Sequence, residues 1–94
     1  MADITVQDVP SASRYEIRVD GEVAGYAYYV AEPHRIVFTH TEIDPAYEGQ
    51  GLGGRLAAAA LDDVRARGLL VRADCPFIAG YIRGHAEYQD LVRS

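Results

Sequence analysis

The sequence predicts a single compact α+β domain, residues 1–94, in which an antiparallel meander of strands is followed by a helix, a strand and a second helix. Two patterns support this fold class. Apolar and polar residues alternate through the first half of the chain, which is typical of half-buried strands. In the second half apolar residues recur every four positions, which is the spacing of one helix face. A length of 94 residues is ordinary for one domain.

Four predicted strands make up the first half, and turn-forming residues separate them. Pro10 stops the first strand, which suits a strand at the edge of a sheet. Asp20-Gly21 is a strong signal for a tight hairpin between the second and third strands. Residues 32–34 make the next turn, and Asp44-Pro45 ends the fourth strand. The four strands are expected at Ile4–Val9, residues 15–19, residues 23–31 and Arg35–Ile43.

The second half predicts a helix, a strand and a second helix. The first helix is expected over residues 53–67, because Gly68 suits the position after a helix end and arginines in the last turn favour the helix dipole. Residues 69–74 follow as a buried strand, and Pro76 begins a short helix, where its missing N–H costs nothing. A helix that links two strands of one sheet implies a crossover, so we expect a mixed sheet with the helix packed on it. The apolar stripe of the first helix consists of Leu52, Leu56, Ala60 and Val64.

The charge balance and the composition exclude several classes of protein. Nine arginines and no lysine stand against 14 acidic residues, so the net charge of -5 disfavours nucleic acid and an anionic membrane surface as partners. The longest apolar runs fall short of the roughly 18 residues of a membrane span, and the N-terminus shows no signal peptide. A single cysteine forms no internal disulfide, and a cytoplasmic location is expected. The three histidines and Cys75 lack metal-ligand spacing, so no metal is expected.

A glycine-rich stretch lies between the fourth strand and the first helix, and it reads Glu48-Gly49-Gln50-Gly51-Leu52-Gly53-Gly54-Arg55. Glycines allow a ligand to approach the backbone, and the N-terminus of the helix offers unpaired N–H groups, so a phosphate-bearing ligand is favoured. The alternative is a tight turn that needs residues at positive φ. The stretch lacks the Lys and Ser or Thr of a P-loop, and its glycine spacing differs from that of a dinucleotide-binding fingerprint.

Four segments together resemble the GNAT superfamily of acetyl-CoA-dependent acetyltransferases, and in particular a minimal family with unusually short chains. The resemblance covers about residues 15–92. The sequence departs from the family pattern at Glu48, where Arg or Gln is usual, and at Ala86, where Pro is expected. The segments are Phe38-Thr39-His40-Thr41-Glu42, Glu48-Gly49-Gln50-Gly51-Leu52-Gly53, Cys75-Pro76-Phe77, and Tyr81-Ile82 with His85-Ala86-Glu87-Tyr88.

The resemblance implies an N-acetyltransferase with acetyl-CoA as co-substrate and a small-molecule or protein amine as acceptor. The pyrophosphate of CoA would lie on the N–H groups of residues 49–54. The pantetheine arm would run where the strand Arg35–Ile43 parts from the strand that follows the helix, and Arg55 would reach a phosphate. The residues expected to bind the cofactor are Ile43, Gly49, Gln50, Gly51, Gly53, Gly54, Arg55 and Tyr81.

His40 and Cys75 are the candidate catalytic residues. Cys75 immediately precedes a helix, where the dipole favours a thiolate. His40 lies on the strand beside the cleft and is placed to act as a base or to pair with the thiol. Two routes stay open: direct attack by the amine with His40 or Glu42 taking the proton, and prior acetylation of Cys75. Tyr81 or Tyr88 would protonate the CoA thiolate. The alternative to a catalytic role is that His40 and Cys75 are structural residues of the core.

Two other functions fit the same residues. One is a CoA-binding or protein-interaction module without turnover, which the short chain favours, and the other is a cysteine-based hydrolase of acyl thioesters. The acidic balance favours a cationic acceptor such as a polyamine or a protein amine. The sequence predicts no particular oligomeric state.

Overall fold

Five strands follow one another across a single sheet in the order in which they occur in the chain. The structure is a computed structural model that describes residues 3–92. The first four strands pair antiparallel and the fifth pairs parallel to the fourth, so the predicted mixed sheet is confirmed. The strands are β1 (Ile4–Val9), β2 (Arg14–Val19), β3 (Glu22–Ala31), β4 (Arg35–Ile43) and β5 (Leu70–Ala73).

The hairpin between β2 and β3 turns at Asp20 and Gly21. Both residues have positive φ values, 51° and 86°, which is the geometry of a two-residue turn that matches the twist of the strands. The prediction from the Asp-Gly pair is therefore confirmed.

Two α-helices, α1 (Leu52–Ala66) and α2 (Pro76–Arg83), form where the apolar spacing and Pro76 predict them. α1 begins and ends one residue before its predicted bounds, and Gly68 has the positive φ of 71° that suits the position after a helix. Neither helix is long and apolar enough to span a membrane, and residues 3–92 contain no other that is.

Three short 3-10 helices complete the described chain: Pro10–Ala12, Pro45–Tyr47 and Ala86–Val92. The sequence does not predict the last of them. It buries Tyr88 and Leu91, which stand three residues apart, the period of this type of helix. Too few residues share that spacing for the pattern to be recognised in the sequence.

Both α-helices pack on the same face of the sheet. Leu56 and Leu61 of α1 and Ile78 of α2 are fully buried in one core together with the strand residues Ile17 and Phe38. Contacts between the first turn of α1 and aromatic side chains of α2 hold the helices side by side. The last 3-10 helix lies beside α1 as well, since the hydroxyl of Tyr88 donates to Asp62 at 2.8 Å.

The opposite face of the sheet is not covered by any element within residues 3–92. We call this uncovered face the open face, and two cross-strand rows of residues form its centre. They are Arg14–Tyr28–His40 and Glu16–Tyr26–Glu42.

Glu16 is only 3% exposed although it stands on the open face. Two arginines cover it: Arg18 donates to its carboxylate at 2.7 Å and Arg14 at 2.8 Å. These hydrogen bonds, that from Arg18 first, hold the pKa of Glu16 below its ordinary value. The carboxylate is therefore a structural element of the open face, and it keeps the two guanidinium groups in place.

Replacing Glu16 by Gln should lower the free energy of unfolding by about 1 kcal/mol at neutral pH, because Gln keeps the shape but loses the charge. The lowered pKa in the folded protein means that this stabilisation is present above the ordinary carboxyl pKa of 4.5. It is lost as the pH falls through the lowered value. Urea denaturation at several pH values measures this, and the difference between the two proteins should vanish in acid.

Glu87→Gln is the matched control for this prediction, because Glu87 is exposed and its carboxylate makes no ion pair within residues 3–92. A Glu16→Gln difference that persists unchanged in acid would contradict the ionic explanation.

Candidate functional site

The glycine-rich stretch forms the turn between β4 and α1. Gly49 and Gly51 have φ values of 83° and 73°, and a side chain at either position would meet open space, with nothing within 4 Å. The turn therefore requires glycine at these two positions for its backbone geometry. The tight-turn explanation therefore accounts for Gly49 and Gly51, two of the four glycines in the stretch. The space in front of the backbone at these two positions is open.

Gly53 and Gly54 lie within the first turn of α1 and have a different role. A Cβ atom at Gly53 would lie 2.8 Å from Cζ of Phe77, so glycine at this position lets the Phe77 ring keep its place over the first turn of α1. A Cβ atom at Gly54 would make an ordinary contact of 3.6 Å with Cε1 of Tyr81. Packing therefore explains Gly53 but does not require glycine at Gly54.

The N-terminus of α1 carries unpaired N–H groups. Its cap residue is Gly51, which has no side chain to accept a hydrogen bond, and the N–H groups of residues 52–54 find no acceptor within residues 3–92. These groups point out of the positive end of the helix dipole. Arg55 is exposed and makes no ion pair in the described part of the chain, and it lines a separate cleft with Val6 and Asp62 rather than the cleft in front of the turn. The geometry fits an anionic group such as a pyrophosphate.

The cleft in front of this turn is lined by Ile43, Tyr47 and Phe77 as well as by the glycines. Ile43 is therefore one of the residues that line this cleft, and its contact with the cofactor stays a prediction. Tyr47 and Phe77 are cleft residues that sequence reasoning did not assign to the site, although Phe77 belongs to a quoted motif. Glu48 also lines the cleft, and its carboxylate has no cationic partner within residues 3–92, which does not help an anion to bind. Gln50 is exposed in the same turn.

β4 and β5 part beyond Phe38. Their parallel pairing covers only the first four residues of β4, and the N–H groups of Asp74 and Cys75 both donate to the carbonyl oxygen of Phe38 at 3.0 Å. β4 then continues to Ile43 with no strand beside it on that edge in the described structure. β5 itself ends at Ala73, so the edge of β4 beyond Phe38 has no strand partner on that side in the described structure, and we call the space beside this edge the gap. That the pantetheine arm lies there stays a prediction.

A β-bulge in β4 decides which side chains face this gap. Tyr28 pairs with His40 and Tyr29 with Phe38, so Thr39 has no paired residue on β3. Because one residue is inserted, the alternation of faces reverses at this point. Simple alternation places His40 on the face of Phe38, whereas the bulge places it on the open face.

Thr41, rather than His40, faces Cys75. The thiol of Cys75 donates to Oγ1 of Thr41 at 3.3 Å, and Cys75 itself is only 3% exposed. The structure therefore does not bring His40 and Cys75 together as a hydrogen-bonded pair. Sequence reasoning missed Thr41, because only the bulge shows that it stands on the thiol side of the strand.

His40 and Glu42 lie together on the open face, as their spacing on one strand predicts. Nε2 of His40 is 3.8 Å from Oε2 of Glu42, and both side chains are about 60% exposed, 61% and 62% respectively. The ring of Tyr28 stacks on the imidazole at 6.4 Å between centroids. A base and a carboxylate in this arrangement are able to accept a proton from a group that approaches the gap from the open face.

Tyr81 and Tyr88, the two candidate proton donors, differ in their hydrogen bonding. The hydroxyl of Tyr88 already donates to Asp62, and burial together with this bond raises the pKa of Tyr88 to about 12. The hydroxyl of Tyr81 makes no hydrogen bond within residues 3–92, and burial raises its pKa, so it is neutral and free to donate. The imidazole of His85 stacks on Tyr81 at 3.8 Å and fixes the ring beside Gly54.

A glycine turn with unpaired N–H groups beside the unpaired end of β4 is the arrangement that the resemblance to the GNAT superfamily implies. Residues 14–91 match the family model described as GCN5-related N-acetyl-transferase. The chain therefore belongs to this family. No cluster of His, Cys, Asp or Glu in residues 3–92 is arranged to hold a metal ion.

Two curated relatives are similar to parts or most of the chain. Mycothiol acetyltransferase of Thermobispora bispora is 44% identical over 54 residues, 56% of this chain, and the match covers 18% of that protein. Protein NATD1 of Mus musculus is 29% identical over 92 residues, which is 96% of this chain and 84% of that protein. The chain thus spans less than a fifth of the first relative and most of the second.

A solved structure shares the fold. It is the ribosomal-protein-alanine N-acetyltransferase from Brucella melitensis biovar Abortus 2308, with a TM-score of 0.56 and 19% identity. The match covers 86% of this chain and 61% of that one. At this identity the likeness is one of fold, and it confirms the predicted GNAT-like architecture.

Proposed function

We propose that the protein is an acetyl-CoA-dependent N-acetyltransferase that moves an acetyl group to an amine. The observation that carries this proposal is the row of unpaired N–H groups at residues 52–54, placed at the mouth of the gap between β4 and β5. Membership of the family supports the activity in general terms. The predicted cytoplasmic location and the absence of a nucleic acid partner stay predictions.

The residues present fit the co-substrate that this family uses. When bound, acetyl-CoA supplies the thioester that is the acetyl donor. The N–H groups at the start of α1 would hold the pyrophosphate, with Gln50 beside them, and Arg55 would have to turn from its present cleft to reach a phosphate. Ile43 and Phe77 line the cleft through which the pantetheine arm passes, and the unpaired edge of β4 offers it backbone groups.

The chain's own side chains supply the proton transfers. His40, assisted by Glu42, takes a proton from the acceptor amine on the open face. Tyr81 gives a proton to the departing thiolate beside Gly54, since its hydroxyl has no other partner in the described structure. Cys75 is buried and bonded to Thr41 on the other side of the strand, which favours direct attack by the amine over an acetylated cysteine.

Calorimetric titration of the purified protein with acetyl-CoA, alongside dephospho-CoA, tests the binding site. We expect micromolar binding of acetyl-CoA and weaker binding when the 3′-phosphate is removed. Absence of binding at millimolar ligand would overturn the proposal and leave the glycine stretch as a structural turn.

Replacing Cys75 by Ala should leave acetyl transfer within about twofold of the wild-type rate, because direct attack makes no use of the thiol. The measurement is release of CoA in the presence of an amine acceptor, with acetyl-CoA affinity measured in parallel. Cys75→Ser controls for the cavity that Ala leaves in a buried position. Loss of transfer in both variants, with binding intact, would establish the covalent route instead.

A CoA-binding module without turnover is the second candidate, and the exposure of the proton-accepting pair favours it. The side chains of His40 and Glu42 are 61% and 62% exposed, so residues 3–92 form no enclosed pocket that would hold an acceptor beside them. Binding of acetyl-CoA without release of CoA in the presence of any amine would establish this function. Release of CoA without an acceptor would instead indicate a thioester hydrolase.

A further inference from the structure

We propose that the open face docks the acceptor as a basic polypeptide segment, whose lysine side chain enters the gap between β4 and β5 beside His40. This inference rests on the proposed function and names the class of its acceptor. Tyr26 and Tyr28 are the docking residues. Neither is assigned a role by the sequence motifs or by the comparisons.

The proton-accepting pair is too open for a small free amine. The side chains of His40 and Glu42 are 61% and 62% exposed, and no element within residues 3–92 stands opposite them. Sites for small molecules usually bury roughly 70–90% of the ligand surface. A small amine beside His40 would be contacted from one side only. A polypeptide acceptor is large enough to cover the open face around His40 and Glu42, so these side chains become buried when it binds.

The open face carries the residue types that dominate protein interfaces. The rings of Tyr26 and Tyr28 lie 5.7 Å apart, and the guanidinium of Arg14 lies 4.3 Å above the centre of Tyr26. Tyrosine and arginine are enriched among the residues that contribute most to binding. Arg14 also forms an ion pair with Glu16, so its guanidinium group is already held in place on the open face before a partner binds.

The charge near the end of β4 selects a basic partner. Glu42 and Asp44 line one cleft together with Tyr26 and Glu48, and none of the three carboxylates is paired with an arginine in the described structure. The arginines of the same face, Arg14 and Arg18, are engaged with Glu16. A segment with basic residues around its lysine therefore finds uncompensated negative charge on this side of His40.

The reaction is an ordinary acyl transfer to the lysine nitrogen. His40 takes one proton from the ammonium, and the neutral nitrogen forms a bond to the acetyl carbon while the carbon–sulfur bond of the thioester breaks. The sulfur keeps the electron pair and takes a proton from Tyr81, which is restored by the second nitrogen proton. The products are an acetyl-lysine amide, free CoA and the proton left on His40, which passes to solvent.

The test compares acceptors after acetyl-CoA binding has been measured for the same preparation by calorimetry. The acceptors are a peptide with a blocked N-terminus and one lysine between arginines, the same peptide with acidic flanking residues, lysine amide, spermidine, and a peptide whose only amine is its N-terminus. We expect kcat/KM for the basic lysine peptide to exceed that of every other acceptor by at least about tenfold. Added salt should raise its KM.

Tyr26→Ala should raise KM for the basic peptide about tenfold with acetyl-CoA affinity unchanged, since an aromatic docking residue typically contributes more than 1 kcal/mol. Thr5→Ala is the matched control. Thr5 is exposed on β1 and pairs with Arg18, at the far side of the same sheet face, and its replacement should change neither quantity.

The outcomes separate the two claims. Turnover of lysine amide or spermidine at a rate equal to that of the peptide overturns the inference and leaves the acetyltransferase intact. Turnover of the N-terminal amine alone, or an equal KM for Tyr26→Ala and the wild type, also overturns it. Binding of acetyl-CoA without turnover of any acceptor overturns both the inference and the transferase activity, and absence of binding overturns the cofactor site itself.

Discussion

Replacing His40 and Glu42 together by glutamines should lower kcat for acetyl transfer by about 10²- to 10⁴-fold, the range that a positioned general base contributes. The two side chains are the only proton acceptors that the described part of β4 presents on the open face, and they lie 3.8 Å apart. Glutamine keeps their size but takes no proton at neutral pH. Steady-state release of CoA measures the loss, and calorimetry should show unchanged acetyl-CoA affinity.

His34→Gln is the control for this pair, because His34 is exposed in the turn between β3 and β4, away from the gap. The single variants divide the effect between the two residues. A larger loss for His40→Gln identifies the imidazole as the base, and a larger loss for Glu42→Gln identifies the carboxylate. A double variant with full activity would show that neither group takes the proton.

The sequence was sufficient to predict the elements of the fold because each of them is encoded locally. β1 and β4 have the predicted bounds, and α1 departs from them by one residue at each end. Alternation, the four-residue spacing and single turn residues such as Gly68 decide these elements within a few positions of the chain. The glycine stretch was recognisable for the same reason.

The faces of β4 were not predictable, because the bulge at Thr39 arises from pairing between two strands. Neither Gly nor Pro marks the position, and the residues on both sides of Thr39 are ordinary strand formers. The bulge separates His40 from Cys75 and brings Thr41 to the thiol. Simple alternation predicts that His40 faces the thiol of Cys75. In the structure Thr41 faces it instead, because the register between β3 and β4 shifts at Thr39.

Contacts between distant elements account for the other features that the sequence left open. Gly53 is explained by Phe77, which lies 24 positions further along the chain and reaches it only when α2 packs beside α1. At the other end of α1, Arg67 binds Asp8 at 2.6 Å and Asp63 at 2.9 Å. The tyrosine hydroxyls that share these carboxylates come from β2 and β3. The Asp63–Arg67 pair has the local i,i+4 spacing of a helix, but no local pattern encodes the contacts to Asp8 and to the two tyrosines.

Replacing Gly51 by Val should weaken acetyl-CoA binding by about 100-fold or abolish it, which is at least ~2.7 kcal/mol of binding free energy. Gly51 has a φ of 73°, where a β-branched residue is strained, so the turn must relax to another conformation. That relaxation turns the N–H groups of residues 52 and 53 away from their present direction. Calorimetry measures the affinity, and urea denaturation measures the accompanying loss of stability, about 2 kcal/mol.

Gly68→Val provides a control with the same strain at the opposite end of α1. Gly68 has a φ of 71°, and, as at Gly51, a Cβ atom there would meet nothing within 4 Å. The two variants should therefore lose similar stability, but only Gly51→Val should lose acetyl-CoA. Equal affinities in the two variants would show that the glycines of the turn serve its backbone geometry alone, and the site of the pyrophosphate would then have to lie elsewhere on the protein.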